Sequence, residues 1–334
     1  ETALGNGNIK AEVKIQGFST HFDASFFERT VEEYFQGLGA LDLFWKNYRN
    51  DFKLKIGAGI TSLFGITNIS SQLLYYPKIE ISYEKPGNKI SPFLISDGGV
   101  KQNTYKILTE LNPYLAPATP LAPTFNQYNT TLGIRSSLAS ILNFDLGFIF
   151  DKIENFTYFE RLPYDSQYEN MAYRLSNSFQ SQYLNTRIYG FKSSIRIDLA
   201  KNNFVCFETL YRFFDVETDQ ILWNLPALEM NWESQIKWKD RLLFSLNGNL
   251  WGDRKSAFRP IFLKQDLNSA QITSENLPLF IRTTAHITYK ITDQFDIFIK
   301  GRFNTQGIHG RWAYYPEPDL LLIGGITYKF DFQI

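Results

Sequence analysis

Cysteine is almost missing from this sequence. Cys206 is the only one in 334 residues, which excludes an intramolecular disulfide framework and any multi-cysteine metal site. A surplus of one charge is missing too: 34 Lys and Arg balance 34 Asp and Glu, whereas a nucleic-acid binder normally carries a basic excess. No run approaches the roughly 18 consecutive apolar residues of a membrane-spanning helix. The Ala- and Leu-rich helical patterns usual in a soluble enzyme of this size are also lacking. The chain opens on Glu1 with no signal-peptide-like segment, as a mature or trimmed product would. What it does have is aromatic side chains: 30 Phe, 19 Tyr and 6 Trp, 16% of the residues, at a mean hydropathy of −0.25.

Those aromatics lie on a period of two. In Leu320–Phe332 the positions Leu320, Leu322, Ile326, Tyr328, Phe330 and Phe332 alternate with Thr327, Lys329 and Asp331. Phe295, Ile297, Ile299 and Phe303 alternate with Asp296, Lys300, Arg302 and Asn304, and Ile281, Ile287 and Tyr289 with Arg282, His286, Thr288 and Lys290. Each stretch reads as a strand with one apolar and one polar face. The pattern recurs back to Ile9–Ile15, weakest at Leu38–Lys46 and Pro92–Lys101, and blurred by Phe204 and Leu210. It predicts about 14 antiparallel strands of about 9–12 residues.

The connections fall into two classes. Short, Asn-, Asp-, Gly- and Pro-rich turns are expected at Asn47–Asn50, Pro86–Lys89, Ala139–Ile141, Lys201–Asn202, Lys239–Asp240 and Thr292–Asp293. Long connections, including Ser19–Gln36, Asn103–Phe125, Glu154–Tyr183 and Gly252–Phe280, alternate with them. This is the plan of an all-β, up-and-down transmembrane barrel with short periplasmic turns and long extracellular loops. A soluble β-sandwich also alternates, but its apolar face is bulky aliphatic and packs on a second sheet. Here Trp45, Tyr83, Trp232, Trp238, Tyr289, Tyr328 and Phe332 end the apolar faces, where a lipid–water boundary favours rings with a polar handle. The predicted location is the bacterial outer membrane and the first partner is the bilayer. Closure is expected, because an open edge in hydrocarbon strands N–H and C=O groups.

The stretch Asn112–Asn155, NPYLAPATPLAPTFNQYNTTLGIRSSLASILNFDLGFIFDKIEN, resembles barrel segments of TonB-dependent-receptor-like outer-membrane proteins of Bacteroidota. The ending GGITYKFDF, Gly324–Phe332, is similar to the closing strand of that group. The resemblance implies a barrel and an outer-membrane location. Two departures stand out: residues 1–334 offer no candidate plug, and the family's barrel has more strands. One barrel domain over 1–334 is the expectation.

No residue pattern asks for catalysis, cofactor or metal. His21 and His309 fall in loops without a partner at ligand spacing, and His286 sits between Arg282 and Lys290 on the polar face. A rim hydrolase would need an oriented histidine beside a nucleophile, and no motif supplies one. The polar face itself is more informative. Lys53, Lys55, Glu80, Arg135, Asp145, Glu208, Arg212, Glu229, Glu233, Arg282, Lys300 and Arg302 are the candidate lumen-facing charges. Their mixed signs favour cross-lumen pairing over the single-sign ring of a charge-selective pore.

Two loops are candidate contact surfaces for a partner. Pro117, Pro120 and Pro123 recur every three residues, which suits an extended, polyproline-like arm. The Glu154–Tyr183 connection is Tyr-rich and includes Tyr164 and Tyr168. The leading functional expectation is a non-enzymatic barrel working as a subunit of a multiprotein outer-membrane complex. Export, outer-membrane protein biogenesis or nutrient uptake are its candidate tasks, with other outer-membrane proteins or lipoproteins as partners. A stand-alone substrate channel is the alternative, and a rim hydrolase stands third.

Overall fold

A computed structural model describes residues 2–4, 7–22, 33–49, 51–65, 72–85, 89–117, 119–138, 141–162, 176–216, 220–258 and 273–330. In chain order the elements are β1 (Thr2–Leu4), β2 (Gly7–His21), β3 (Glu33–Arg49), β4 (Phe52–Phe64), β5 (Gln72–Tyr83) and β6 (Ile90–Lys101). Helix α1 (Tyr105–Leu111) precedes β7 (Thr124–Leu138), β8 (Leu142–Arg161), β9 (Phe179–Ala200) and β10 (Asn203–Val216). Then come β11 (Leu228–Trp238), β12 (Leu242–Gly252), β13 (Arg254–Phe258), β14 (Thr273–Leu277), β15 (Phe280–Lys290), β16 (Phe295–Asn304) and β17 (Leu320–Tyr328).

All except β13 and β14 form one 15-stranded sheet in which sequence neighbours pair antiparallel, β12 passing directly to β15. The three-residue β1 covers only Gly7–Ile9 of β2, so 14 strands have membrane-crossing length. Both weakly patterned stretches are strands, β3 and β6. The Lys239–Asp240 turn has the backbone a tight hairpin needs: both residues have positive φ, 49° and 55°, as in a two-residue type I′ turn.

Three expectations change. The 14 long strands run from 9 to 22 residues rather than 9–12, and the longest pair, β8 and β9, continues together well past Glu154, to Arg161 and from Phe179. The long connections are structured: α1 is capped by Thr104, whose hydroxyl accepts from the Ile107 N–H at 3.2 Å, and β13 and β14 form their own hairpin. Among the described residues the sheet is also open, with β17 at one edge and β2, beyond its contact with β1, at the other. Its 14 long strands run alternately up and down, so these two edges are antiparallel to each other.

The register fixes two faces. Val13, Ile15, Leu41, Leu43, Phe191, Ile287, Ile299 and Leu322 belong to an outer face of solvent-exposed apolar side chains, reaching 78% exposure at Ile15. In water such a band would be a large unpaid hydrophobic exposure, and in a bilayer it is the lipid contact. No described helix is long and apolar enough to cross a membrane.

Candidate functional site: the inner wall and its extracellular cap

The opposite face carries the charges. All twelve sequence-selected positions, from Lys53 to Arg302, fall on it by register: Lys55 faces Glu80, Arg135 faces Asp145, and His286 faces Lys300. Several pair directly. Arg135 Nε lies 3.2 Å from Asp145, Lys53 bonds Glu84, and Arg212 bonds Glu229. Lys55 rests over the Phe44 ring at 4.5 Å instead. Phe204 and Leu210, which blur β10, belong to this inner face: Phe204 lies under Arg196 at 4.0 Å, and Leu210 packs on Ile149, Ile153 and Ile188. Cys206 is half-buried beside Glu208, Asn231, Glu233 and Asn247.

A polar network missing from the sequence-selected set lies between β3 and β7. Tyr76 donates to Asp42 at 2.6 Å and receives a bond from Thr61 at 3.3 Å. Lys78 bridges Asp42 and Asp97 at 3.1 and 2.7 Å. Gly59 makes this possible, since a Cβ there would stand 2.1 Å from the Tyr76 ring and 2.3 Å from Asp42. A bulge at Asp97–Gly99 widens the wall beside it, and the recess encloses about 660 Å³. Lys78 was within reach of sequence reading, being on the Glu80 face of β5. Asp42 was harder, because it sits in one of the weakest-patterned strands.

Arginines gather further round the wall. Arg282 Nη2 holds Glu317 at 2.5–2.6 Å and lies 5.7 Å from the Trp251 ring. Arg254 is 1% exposed and donates to the carbonyls of Gly310, Arg311 and Pro278. Arg311 lies against Trp251 and Trp312 at 4.6 and 5.4 Å. No local pattern announces Arg254, Arg311 or Glu317, because each acts through contacts far along the chain.

Five connections pack together over the extracellular end. Leu108, Leu115, Leu121, Phe159, Phe179 and Trp312 form a buried apolar cluster, and Tyr114 stacks on Tyr315 at 3.7 Å. The proline segment is therefore no free arm. Ala116 N–H bonds the Phe179 carbonyl at 2.7 Å, and the Pro120 carbonyl accepts from Tyr183 at 2.9 Å. Gln36 of β3 reaches the Leu121 carbonyl at 2.9 Å, so this segment ties β3 to β9. Pro117 and Pro120 are half-buried and Pro123 is buried; Tyr164 and Tyr168 lie outside the described residues. The β10–β11 connection joins through Asn224, which donates to the Phe159 carbonyl at 3.4 Å. The β12–β15 and β16–β17 connections meet where Tyr314 donates to Glu275 at 2.5 Å. Burial and this bond push the Tyr314 hydroxyl up to about 12, so it stays a donor. His309, expected without a carboxylate near it, lies 3.5 Å from Glu275. Arg161 covers the Tyr314 ring at 4.2 Å.

No family model matches the sequence, and no curated protein matches it. Solved structures do match in shape. The pyoverdine outer-membrane receptor FpvA of Pseudomonas aeruginosa aligns over 92% of this chain and 44% of its own, at 14% identity and TM-score 0.57. The siderophore receptor PirA of Acinetobacter baumannii aligns over 96% and 52%, at 12% identity and TM-score 0.63. The FrpB iron transporter of Neisseria meningitidis aligns over 98% and 53%, at 10% identity and TM-score 0.59. The chain spans about half the length of these proteins. At such identities the likeness is one of fold, and the fold, with its lipid-facing band, is that of a bacterial outer-membrane β-barrel.

Proposed function

We propose that this chain forms the inner wall and outer cap of a non-enzymatic outer-membrane barrel that takes up a small solute from outside the cell. The observation that carries this reading is the cap: structured loops packed over a polar, charge-lined inner face. Such an arrangement obstructs free diffusion while offering polar groups to a selected ligand. The neighbours of similar fold include receptors for siderophores, an iron transporter and a copper transporter, which supports uptake over export or biogenesis. In the membrane the backbone groups at the β2 and β17 edges need pairing partners, since hydrocarbon offers them no water. Removing the gene should abolish accumulation of one solute class in whole cells, and re-expression should restore it. Unchanged uptake of ferric chelates, copper and organic anions alike would refute the reading.

A second reading, subunit of a larger assembly, is favoured by β17. Its inner-facing Leu321 and Ile323 are 40% and 59% exposed, apolar where their partners on β16 are Arg302 and Lys300. Something packed inside the barrel would cover them. Extraction in mild detergent followed by identification of retained proteins tests this, and a protein that purifies alone without loss of uptake would exclude it.

A further inference from the structure

The wall is not evenly knitted. β5 pairs with β4 over its whole length, from Gln72 opposite Leu63 to Tyr83 opposite Phe52. With β6 it pairs only from Lys78 opposite Asp97 to Ser82 opposite Phe93. Past that point β6 holds to β7 alone, with Gly99 opposite Asn126 and Lys101 opposite Thr124. Each strand carries a reason for the break. Pro77, next along β5, has no N–H to give a ladder, and β6 has its bulge at Asp97–Gly99, with Gly99 at φ 139°. The gap opens toward the capped end of the wall, where β6 ends at Lys101 and β7 begins at Thr124.

Over residues 72–77 the side of β5 turned toward β6 therefore has no backbone partner among the described residues. A groove of about 700 Å³ follows this edge, lined by residues 72–77, by Phe125, Gln127 and Tyr128 of β7 and Glu154 of β8, and by no residue of β6. It belongs to the lipid face. Leu73 and Tyr75 are 57% and 66% exposed, and Ala58, opposite Pro77 on β4, is exposed as well. Leu74 and Tyr76, pointing the other way, are buried with Phe125 in one apolar cluster, which closes the wall behind the groove. The end toward the cap is polar: Gln72 is exposed there, and Gln127 donates to the Glu154 carboxylate. Hydrocarbon alone would fill such a groove but leave the β5 N–H and C=O groups unpaired, which is costly in a bilayer.

We infer that this groove is a binding site for an amide-linked acyl lipid of the outer leaflet. The amide supplies one N–H and one C=O to the free edge of β5, as a neighbouring strand would. Its acyl chain lies along Tyr75, Pro77 and Ala58, and a hydroxylated head meets Gln72 and the Glu154 carboxylate at the polar end. An ester-linked lipid has the same tail but no N–H, so it leaves a β5 carbonyl unpaired. The inference needs only the outer-membrane location and is independent of the uptake reading.

The test is photolabelling of the full chain in phosphatidylcholine vesicles with N-palmitoylethanolamine carrying a diazirine in its chain, the labelled peptides being read by mass spectrometry. Saturable labelling is expected in the peptides that hold residues 72–77 and 125–128, and excess unlabelled N-palmitoylethanolamine should displace it. Ethylene glycol monopalmitate has the same chain and terminal hydroxyl, with an ester in place of the amide. It should compete about tenfold more weakly, the worth of one hydrogen bond. Ala58→Trp, which fills the groove, should abolish the displaceable label, whereas Ile299→Trp, on the lipid face of β16, should keep it. Heat-modifiable migration shows that each variant is folded, and the comparison of amide with ester needs no variant. Label spread over the lipid-facing strands without displacement, equal competition by amide and ester, or full displaceable labelling of folded Ala58→Trp would each overturn the assignment.

Discussion

Ile287 and Thr288 are adjacent in sequence and opposite in environment. Ile287 faces outward, beside Phe244 and Ile299 on the flanking strands, whereas the Thr288 hydroxyl lies 3.4 Å from His286 on the inner face. Arginine at Ile287 should cost about 2–4 kcal/mol if that position is near the bilayer midplane, and arginine at Thr288 much less. Urea titration of both variants in lipid vesicles checks this, and equal losses would mean the faces are misassigned. Inward does not always mean wet. Asn304 shares the Thr288 face, yet it is fully buried and its amide donates to the Pro318 carbonyl at 2.7 Å. Arginine there should be as disruptive as on the lipid side. Alternation made the face of Asn304 legible, but not its burial, which depends on a loop folded back from beyond β16.

Elements follow the same division. A strand in a membrane wall carries its own signature, because lipid and water impose opposite demands on successive side chains. That signature ends where the membrane does. Beyond Ile153 the β8–β9 pair runs through an irregularity at Asn155, whose φ is 53°, and both faces meet protein rather than lipid and water. Alternation therefore stops while the ladder continues, and the Glu154–Tyr183 connection looked longer than it is. Deleting that whole interval would remove Phe159 and Phe179 from the cap cluster, so only removal of residues 163–175 tests the loop itself. The cap has no local signature at all. Trp312 meets Phe159 edge-on at 5.4 Å and Phe179 at 5.3 Å, contacts more than 130 positions apart in sequence. Trp312→Ala should lose about 3–5 kcal/mol of local packing. Faster hydrogen exchange in α1 and residues 113–121, with the strands unchanged, is the expected result, and exchange rising uniformly across the sheet would mean the cap is not a separate unit.

At the scale of the molecule the question is whether the cap obstructs passage. Its segments run between distant parts of the wall: the proline segment from β3 to β9, and the β16–β17 connection from the Arg254 hairpin to Phe159 on β8. Beneath them, paired charges such as Lys78 with Asp42 and Asp97 leave no ring of one sign to draw ions through. The intact protein in a planar bilayer should therefore show little steady conductance. Cutting the ties separates the two possible reasons. If the cap is the barrier, Trp312→Ala combined with Tyr315→Ala, which removes the stack on Tyr114, should introduce discrete openings. If the wall side chains alone were the barrier, that pair would change nothing, and neutralising Lys78 and Asp97 together would be needed to raise the current. A large, stable conductance in the unaltered protein would contradict both, because neither a packed cap nor a paired wall is compatible with an open pore.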